Sequence, residues 1–275
     1  MLLVIAKIAC CLSEKTSMVT IIEALILAII QGLTEWLPVS SSGHLVIAQQ
    51  LLGLNPSVIF DLLLHIGTLF VVLIAFRKDI IKILKALVKR DLRSEEGKLA
   101  FFIIVGSVPI AIIGFTFKKN IELLFSSLLA VGIALLINAG VLFFSEKRKG
   151  NKEMGTLDSF LIGIAQAVAL IPGVSRSGLT VSTGLINKID KQTAFKYSFL
   201  LSIPAILGAT LFEFRDISTI NIELTSTIVG TGLSMIVGYV SLKVLQHIVM
   251  SEKFHLFAYY CTILGVVLII YTIFQ

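Results

Sequence analysis

Charge is what this sequence has least of. Charged residues make up 15% of its 275 positions, and hydrophobic ones 56%; soluble domains usually carry about 25% charge. A soluble core has no use for that much apolar surface. Cysteine is nearly absent as well. Cys10, Cys11 and Cys261 show no metal or redox spacing, and an adjacent pair rarely closes a disulfide, so they read as small apolar residues in or near lipid. No phosphate-loop, zinc or paired-carboxylate glycosidase motif occurs. The apolar start does not read as a signal peptide: no positive segment precedes it, Lys7 interrupts it, and Ser13-Glu14-Lys15 is not a small-residue cleavage site. Residues 1–17 are taken as an N-terminal extension, with Met18 an alternative start.

The apolar residues fall in runs. Stretches 100–117, 124–144, 224–242 and 256–274 contain no charged residue, and each approaches the roughly 20 residues needed to cross a bilayer. Stretches 57–76 (interrupted by Asp61 and His65) and 197–212 are comparable, which makes about six spans. The net charge of +6 is not a nucleic-acid signature, because the basic residues sit between spans. Arg77, Lys78, Lys82, Lys85, Lys89, Arg90, Arg93 and Lys98 form one cluster, and Lys147, Arg148, Lys149 and Lys152 another. Such clusters mark cytoplasmic loops and can touch anionic headgroups. Lys118 and Lys119 fit this orientation less well.

The chain also repeats itself. An offset of 135 places Gln31 on Gln166, Val39 on Val174, Ser40 on Ser175, Ser42 on Ser177, Gly43 on Gly178 and Phe60 on Phe195. In each copy, two apolar arms too short to cross about 30 Å of hydrocarbon flank a Pro/Gly/Ser break. That pattern reads as a re-entrant hairpin, with a single kinked span as the rival. Three full spans per copy is an odd number, so the second copy is inverted, and inverted broken-helix repeats place a polar site at the midplane. The expected fold is therefore an all-α polytopic membrane protein. About six transmembrane helices and two re-entrant helical hairpins form an inverted-topology repeat, residues 18–150 and 151–275.

Polar groups in mid-membrane are costly and usually functional. Gln31 and Glu35 share a helical face and can hold a hard cation through oxygen; Glu35 can instead act as a general base, or the two can be a packing pair. Ser40, Ser41, Ser42, Gly43 and His44 open the second arm. One serine is explained as a cap, but the run exceeds what a cap needs and presents a helix N-terminus to an anion. Ser41 and His44 lie three apart and suit nucleophile and proton carrier, with His44 itself as nucleophile the alternative. On the second tip, Gly173, Ser175, Arg176, Ser177 and Thr180 offer phosphate donors. Arg176 aligns with Ser41, its planar fork suits phosphate, and the bland alternative is an ion pair with Glu35. Asp61 and His65, one turn apart, are supporting or packing residues.

The stretches 31–45 (QGLTEWLPVSSSGHL), 172–180 (PGVSRSGLT) and 60–68 (FDLLLHIGT) resemble the signatures of the undecaprenyl-pyrophosphate phosphatase, or bacitracin-resistance, family, in order and spacing from about Met18 to the C-terminus. The resemblance implies an integral-membrane acid-anhydride hydrolase of the plasma membrane. It would convert a polyprenyl diphosphate to the monophosphate plus phosphate, recycle the cell-wall lipid carrier, and compete with bacitracin for that lipid. It further implies catalytic roles for Glu35, Ser41 and His44, phosphate binding by Arg176, and help from a divalent cation, Mg2+ or Ca2+. Some members have Glu where this chain has Gln31, so one negative charge is lost there. The site is expected to open to the extracytoplasmic side, and a homo-oligomer is left open. The main alternative is a transporter or flippase of lipid phosphate or another anion; a purely structural scaffold would not need Glu35, His44 and Arg176 on one cavity.

Overall fold

A computed structural model of the protein describes residues 19–54, 56–145, 150–214 and 223–274. The extension with Cys10 and Cys11, the start at Met18 and the basic residues 147–149 lie outside the described residues. Among the described residues twelve helices run in order: α1 (Ile21–Trp36), α2 (Ser41–Leu51), α3 (Val58–Ala75), α4 (Arg77–Val88), α5 (Glu95–Thr116), α6 (Lys118–Leu124), α7 (Leu128–Ser145), α8 (Thr156–Val168), α9 (Arg176–Ile186), α10 (Lys191–Phe214), α11 (Leu224–Met250) and α12 (Leu256–Ile273). Helices α5, α7, α10, α11 and α12 are each long and apolar enough to cross a membrane, and α3 joins them if it is taken with α4, from which it is bent by 78°. Their exposed faces are apolar, for example Ile104, Ile112 and Phe115 on α5 and Ile263, Val267 and Ile270 on α12. A water-facing surface of that kind would be an aggregation liability; a lipid-facing one is at rest.

The four helices that flank the two breaks, α1, α2, α8 and α9, have clear starts and stops. Thr20 and Glu23 close a capping box on α1, and α1 ends at Trp36, just before Pro38. Ser40 caps α2 and Ser175 caps α9, each accepting from the backbone N–H three residues on. At 1.5 Å per residue, these arms of 16, 11, 13 and 11 residues reach about 16–24 Å. The arms of each pair pack on each other. The feet of the second pair meet: Lys152 N–H donates to the Lys188 carbonyl at 2.9 Å. At the first pair, Gln49 near the end of α2 donates to Asp61 at the start of α3, 3.2 Å to each carboxylate oxygen.

Packing crosses between the two halves of the sequence. Helix α1 lies against α11, α8 against α5, and α7 against α12. Small residues allow the approach: a Cβ on Gly32 would meet the Ser234 carbonyl at 2.8 Å, and one on Gly163 would collide with the Gly106 backbone. The basic segments gather at one end. Lys196 of α10 pairs with Asp79 of α4, Lys191 pairs with Glu252 after α11, and Lys152 pairs with Asp158. Within this region the sequence suggests a loop where α4 forms. Its lysine density masks the apolar spacing of Ile80, Ile83 and Ala86, which packs α4 on α5 and leaves Ile81, Leu84 and Val88 exposed.

Candidate active site

The two breaks meet tip to tip. Ser40 adopts φ +71°, a conformation that costs a non-glycine residue about 1–3 kcal/mol. Its hydroxyl accepts from Gly173 N–H of the other tip at 3.1 Å as well as from Gly43 N–H at 3.3 Å. Asn138 of α7 holds both tips: its amide donates to the Pro38 carbonyl at 2.9 Å and its oxygen accepts from Ser175 N–H at 3.2 Å. Gly173 has φ +96°, and a Cβ there would sit 2.5 Å from the Val131 carbonyl. Gly173→Ala is therefore expected to destabilise the protein by about 1–3 kcal/mol or more. Thermal unfolding in detergent checks this, and an unchanged midpoint would show that the tip tolerates the strain.

Glu35 is the hub of the site. Its Oε1 accepts from Arg176 Nη2 at 2.8 Å, and its Oε2 accepts from Ser41 Oγ at 2.7 Å and from Gln31 Nε2 at 3.1 Å. His65 Nε2 stands 3.7 Å from the same Oε2, while its Nδ1 contacts the Asp61 carbonyl at 2.9 Å. The Arg176 guanidinium lies 5.4 Å from the Trp36 ring centroid, a cation–π contact, and Trp36 in turn packs on Phe199. A buried carboxylate is tolerable only when paired and hydrogen-bonded, and these partners supply both. In front of them lies a cavity of about 50 Å3, lined by Glu35, Ser40, Ser41, Ser42, Gln166, Ser175, Arg176 and apolar groups from α5, α10 and the break between α8 and α9. At about 10–15 Å3 per water it has room for a small polar group.

The structure thus brings Gln31, Glu35, Ser40, Ser41, Ser42, Ser175, Arg176 and His65 together. The Glu35–Arg176 ion pair does form, and it leaves Arg176 Nη1 buried without a partner in the protein, as is Gln31 Oε1. Other expected residues point elsewhere. His44 does not meet the Ser41 hydroxyl; its Nδ1 contacts the Ser40 carbonyl at 2.8 Å, and its Nε2 contacts the Tyr260 hydroxyl of α12 at 2.6 Å. Thr180 bonds the Arg176 carbonyl and Ser198. Ser177 faces Ser175 and the Leu37 carbonyl. The Gly173 N–H is taken by Ser40, and the Asp61 carboxylate by Gln49. Sequence reasoning overlooked Asn138, Trp36, Tyr260 and Gln166. Asn138 was detectable as an amide in a charge-free run, and Gln166 as the counterpart of Gln31.

Against known families, the profile described as "Bacitracin resistance protein BacA" matches residues 24–267. The chain belongs to the bacitracin resistance protein BacA family. Among curated relatives, an undecaprenyl-diphosphatase of Methanosphaera stadtmanae is 40% identical over 274 residues, covering 93% of this chain and 99% of the relative. The undecaprenyl-diphosphatase of Desulfosudis oleivorans is 44% identical over 262 residues, with 89% and 96% covered. That of Korarchaeum cryptofilum is 39% identical over 257 residues, with 90% and 98% covered. The BacA match takes in both tips and the helices that hold Glu35, Ser41, Asn138 and Arg176.

Proposed function

We propose that this chain is a membrane phosphatase that removes the terminal phosphate of undecaprenyl diphosphate, so that the lipid carrier returns to cell-wall synthesis. The observation that carries the reading is the Ser41 hydroxyl, hydrogen-bonded to the Glu35 carboxylate beside Arg176 on a small polar cavity in a multi-pass helical protein. The relatives named undecaprenyl-diphosphatase, aligned over nearly their full length, support the same activity.

The residues suggest the following chemistry. The diphosphate enters the cavity, which is too small for the prenyl tail, so the tail stays between helices or in lipid. Arg176, with one guanidinium nitrogen on Glu35 and another unpartnered, clamps a phosphate oxygen. Ser41 Oγ attacks the terminal phosphorus as Glu35 takes its proton. The bond from that phosphorus to the bridging oxygen breaks, and the prenyl monophosphate leaves. Water then cleaves the Ser41 phosphoester, releasing phosphate and restoring the hydroxyl. His44 acts as a positioning residue through the Ser40 carbonyl, and His65 braces Glu35 from behind.

Glu35 and the unpartnered Gln31 Oε1 would hold a divalent cation, Mg2+ or Ca2+. One or two carboxylates completed by substrate phosphate oxygens is the usual way Mg2+ is bound, and no cluster of three or more acidic, His or Cys ligands occurs among the described residues. Such a cation would neutralise phosphate charge. The protein belongs in the plasma membrane with its basic end cytoplasmic, and the two tip-bearing helix pairs are re-entrant hairpins of an inverted repeat. The feet of the second pair lie beside Lys152 and Lys188, and those of the first lie near the start of α3, at the other end of the bundle. The first tip, carrying Glu35 and Ser41, then opens outward, and bacitracin would compete for the same lipid outside.

Purified protein in detergent is expected to release phosphate from farnesyl or undecaprenyl diphosphate. A chelator should depress the rate, added Mg2+ or Ca2+ should restore it, and a brief reaction should leave phosphate on Ser41, read by mass spectrometry. A well-folded preparation that releases no phosphate with any cation would sink the reading, since a detergent-solubilised protein can hydrolyse but cannot transport.

A further inference from the structure

Gln166 shares the cavity with Glu35, Ser41 and Arg176. It is 0% exposed, and neither its amide nitrogen nor its amide oxygen has a hydrogen-bond partner in the protein. An unpartnered buried amide is costly, and in a native fold each such group calls for an explanation. The internal repeat supplies half of one. In the first copy Gln31 donates to Glu35 at 3.1 Å, four residues on. The same offset of 135 that maps Gln31 onto Gln166 maps Glu35 onto Leu170. The second copy therefore has the amide without a carboxylate partner, and Leu170 lines the cavity in the carboxylate's place.

The other half lies in what surrounds the amide. Arg176 Nη1 is also buried without a partner, so two of the residues that line the cavity carry a donor with no acceptor in the protein. The one carboxylate on the cavity is already engaged by Arg176, Ser41 and Gln31. Unpaired donors around a small polar cavity are complementary to an oxyanion, and a neutral amide adds a hydrogen bond without altering the charge balance of the Glu35–Arg176 pair.

We propose that Gln166 Nε2 donates to a non-bridging oxygen of the terminal phosphate, opposite Arg176, and is a substrate-binding residue of this site. The proposal rests on the phosphatase reading above. It gives the two copies different tasks for one residue type: Gln31 steadies the carboxylate, and Gln166 holds the phosphate.

Gln166→Leu keeps the volume and removes the unpartnered atoms. In the purified full chain its unfolding midpoint should stay level or rise, while kcat/KM for farnesyl diphosphate falls about 10- to 100-fold. Its affinity for the non-hydrolysable methylene diphosphonate analogue should fall alongside. Gln166→Glu, equal in size but bringing a second carboxylate to the cavity, should lose at least as much. A glutamine needed only for packing would show the reverse, with stability and activity falling together, and that result overturns the proposal. So does Gln166→Leu with wild-type kcat/KM and wild-type affinity for the analogue. If the wild type itself releases no phosphate, the phosphatase reading fails instead. Binding of the analogue by wild type and Gln166→Leu then still decides whether this amide contacts the anion.

Discussion

Arg176→Ala is expected to reduce phosphate release on the order of 10³-fold or more, the range seen when an arginine that stabilises transferring phosphoryl oxygens is removed. In the proposed mechanism the side chain does two things at once: Nη2 pairs with Glu35 at 2.8 Å, and Nη1, which has no partner in the protein, holds the substrate phosphate. Its loss also strands a buried carboxylate, and removing one partner of a buried pair costs about 3–5 kcal/mol, so the unfolding midpoint should drop as well. Arg176→Lys separates the two effects. A lysine restores the charge opposite Glu35 and much of the stability, but a single ammonium cannot engage the carboxylate and the phosphate through separate nitrogens. Phosphate release and thermal unfolding, measured on the same preparations, check this. A folded Arg176→Ala protein with full activity would remove Arg176 from the mechanism.

Glu35→Gln is expected to lower kcat about 10²- to 10⁴-fold, the contribution typical of a positioned proton acceptor, as read by phosphate release at saturating substrate. Stability should fall too, since the Arg176 guanidinium is then buried against a neutral amide. Combining Glu35→Gln with Arg176→Ala removes both charges. The double variant should lose less stability than the two single losses summed, as coupled neighbours do. Strictly additive losses would mean that the pair is not an energetic unit.

Much of the architecture was legible because lipid imposes simple requirements. The charge-free runs became α5, α7, α11 and α12, and the prolines at 38 and 172 marked the breaks between the short helices. Glu35, Ser41 and Arg176 stood out because an ionisable or hydroxyl group in an apolar context has to be justified. Contacts between distant parts of the chain were not legible. The three-residue spacing places His44 on the Ser41 face of α2, but its ring turns to Tyr260, 216 positions away. Whether the Trp36 ring would sit on lipid or on Arg176 depended on how α1 and α9 meet. Helix α4 was hidden by its own lysines, whose density reads as a loop until α5 is seen to cover Ile83 and Ala86.

The seam between the tips bears on a different question. Carriers built from broken helices work by rocking one half against the other, which opens the central site first to one side of the membrane and then to the other. In this protein such a motion would have to sever the Asn138 bridges to Pro38 and Ser175 and the Ser40–Gly173 contact, all in the interior, where each polar group left unpaired costs about 1–3 kcal/mol. Asn138 thus acts as a stitch across the line along which a carrier would part. With that line held shut, the site is suited to cutting a headgroup rather than to passing the lipid through.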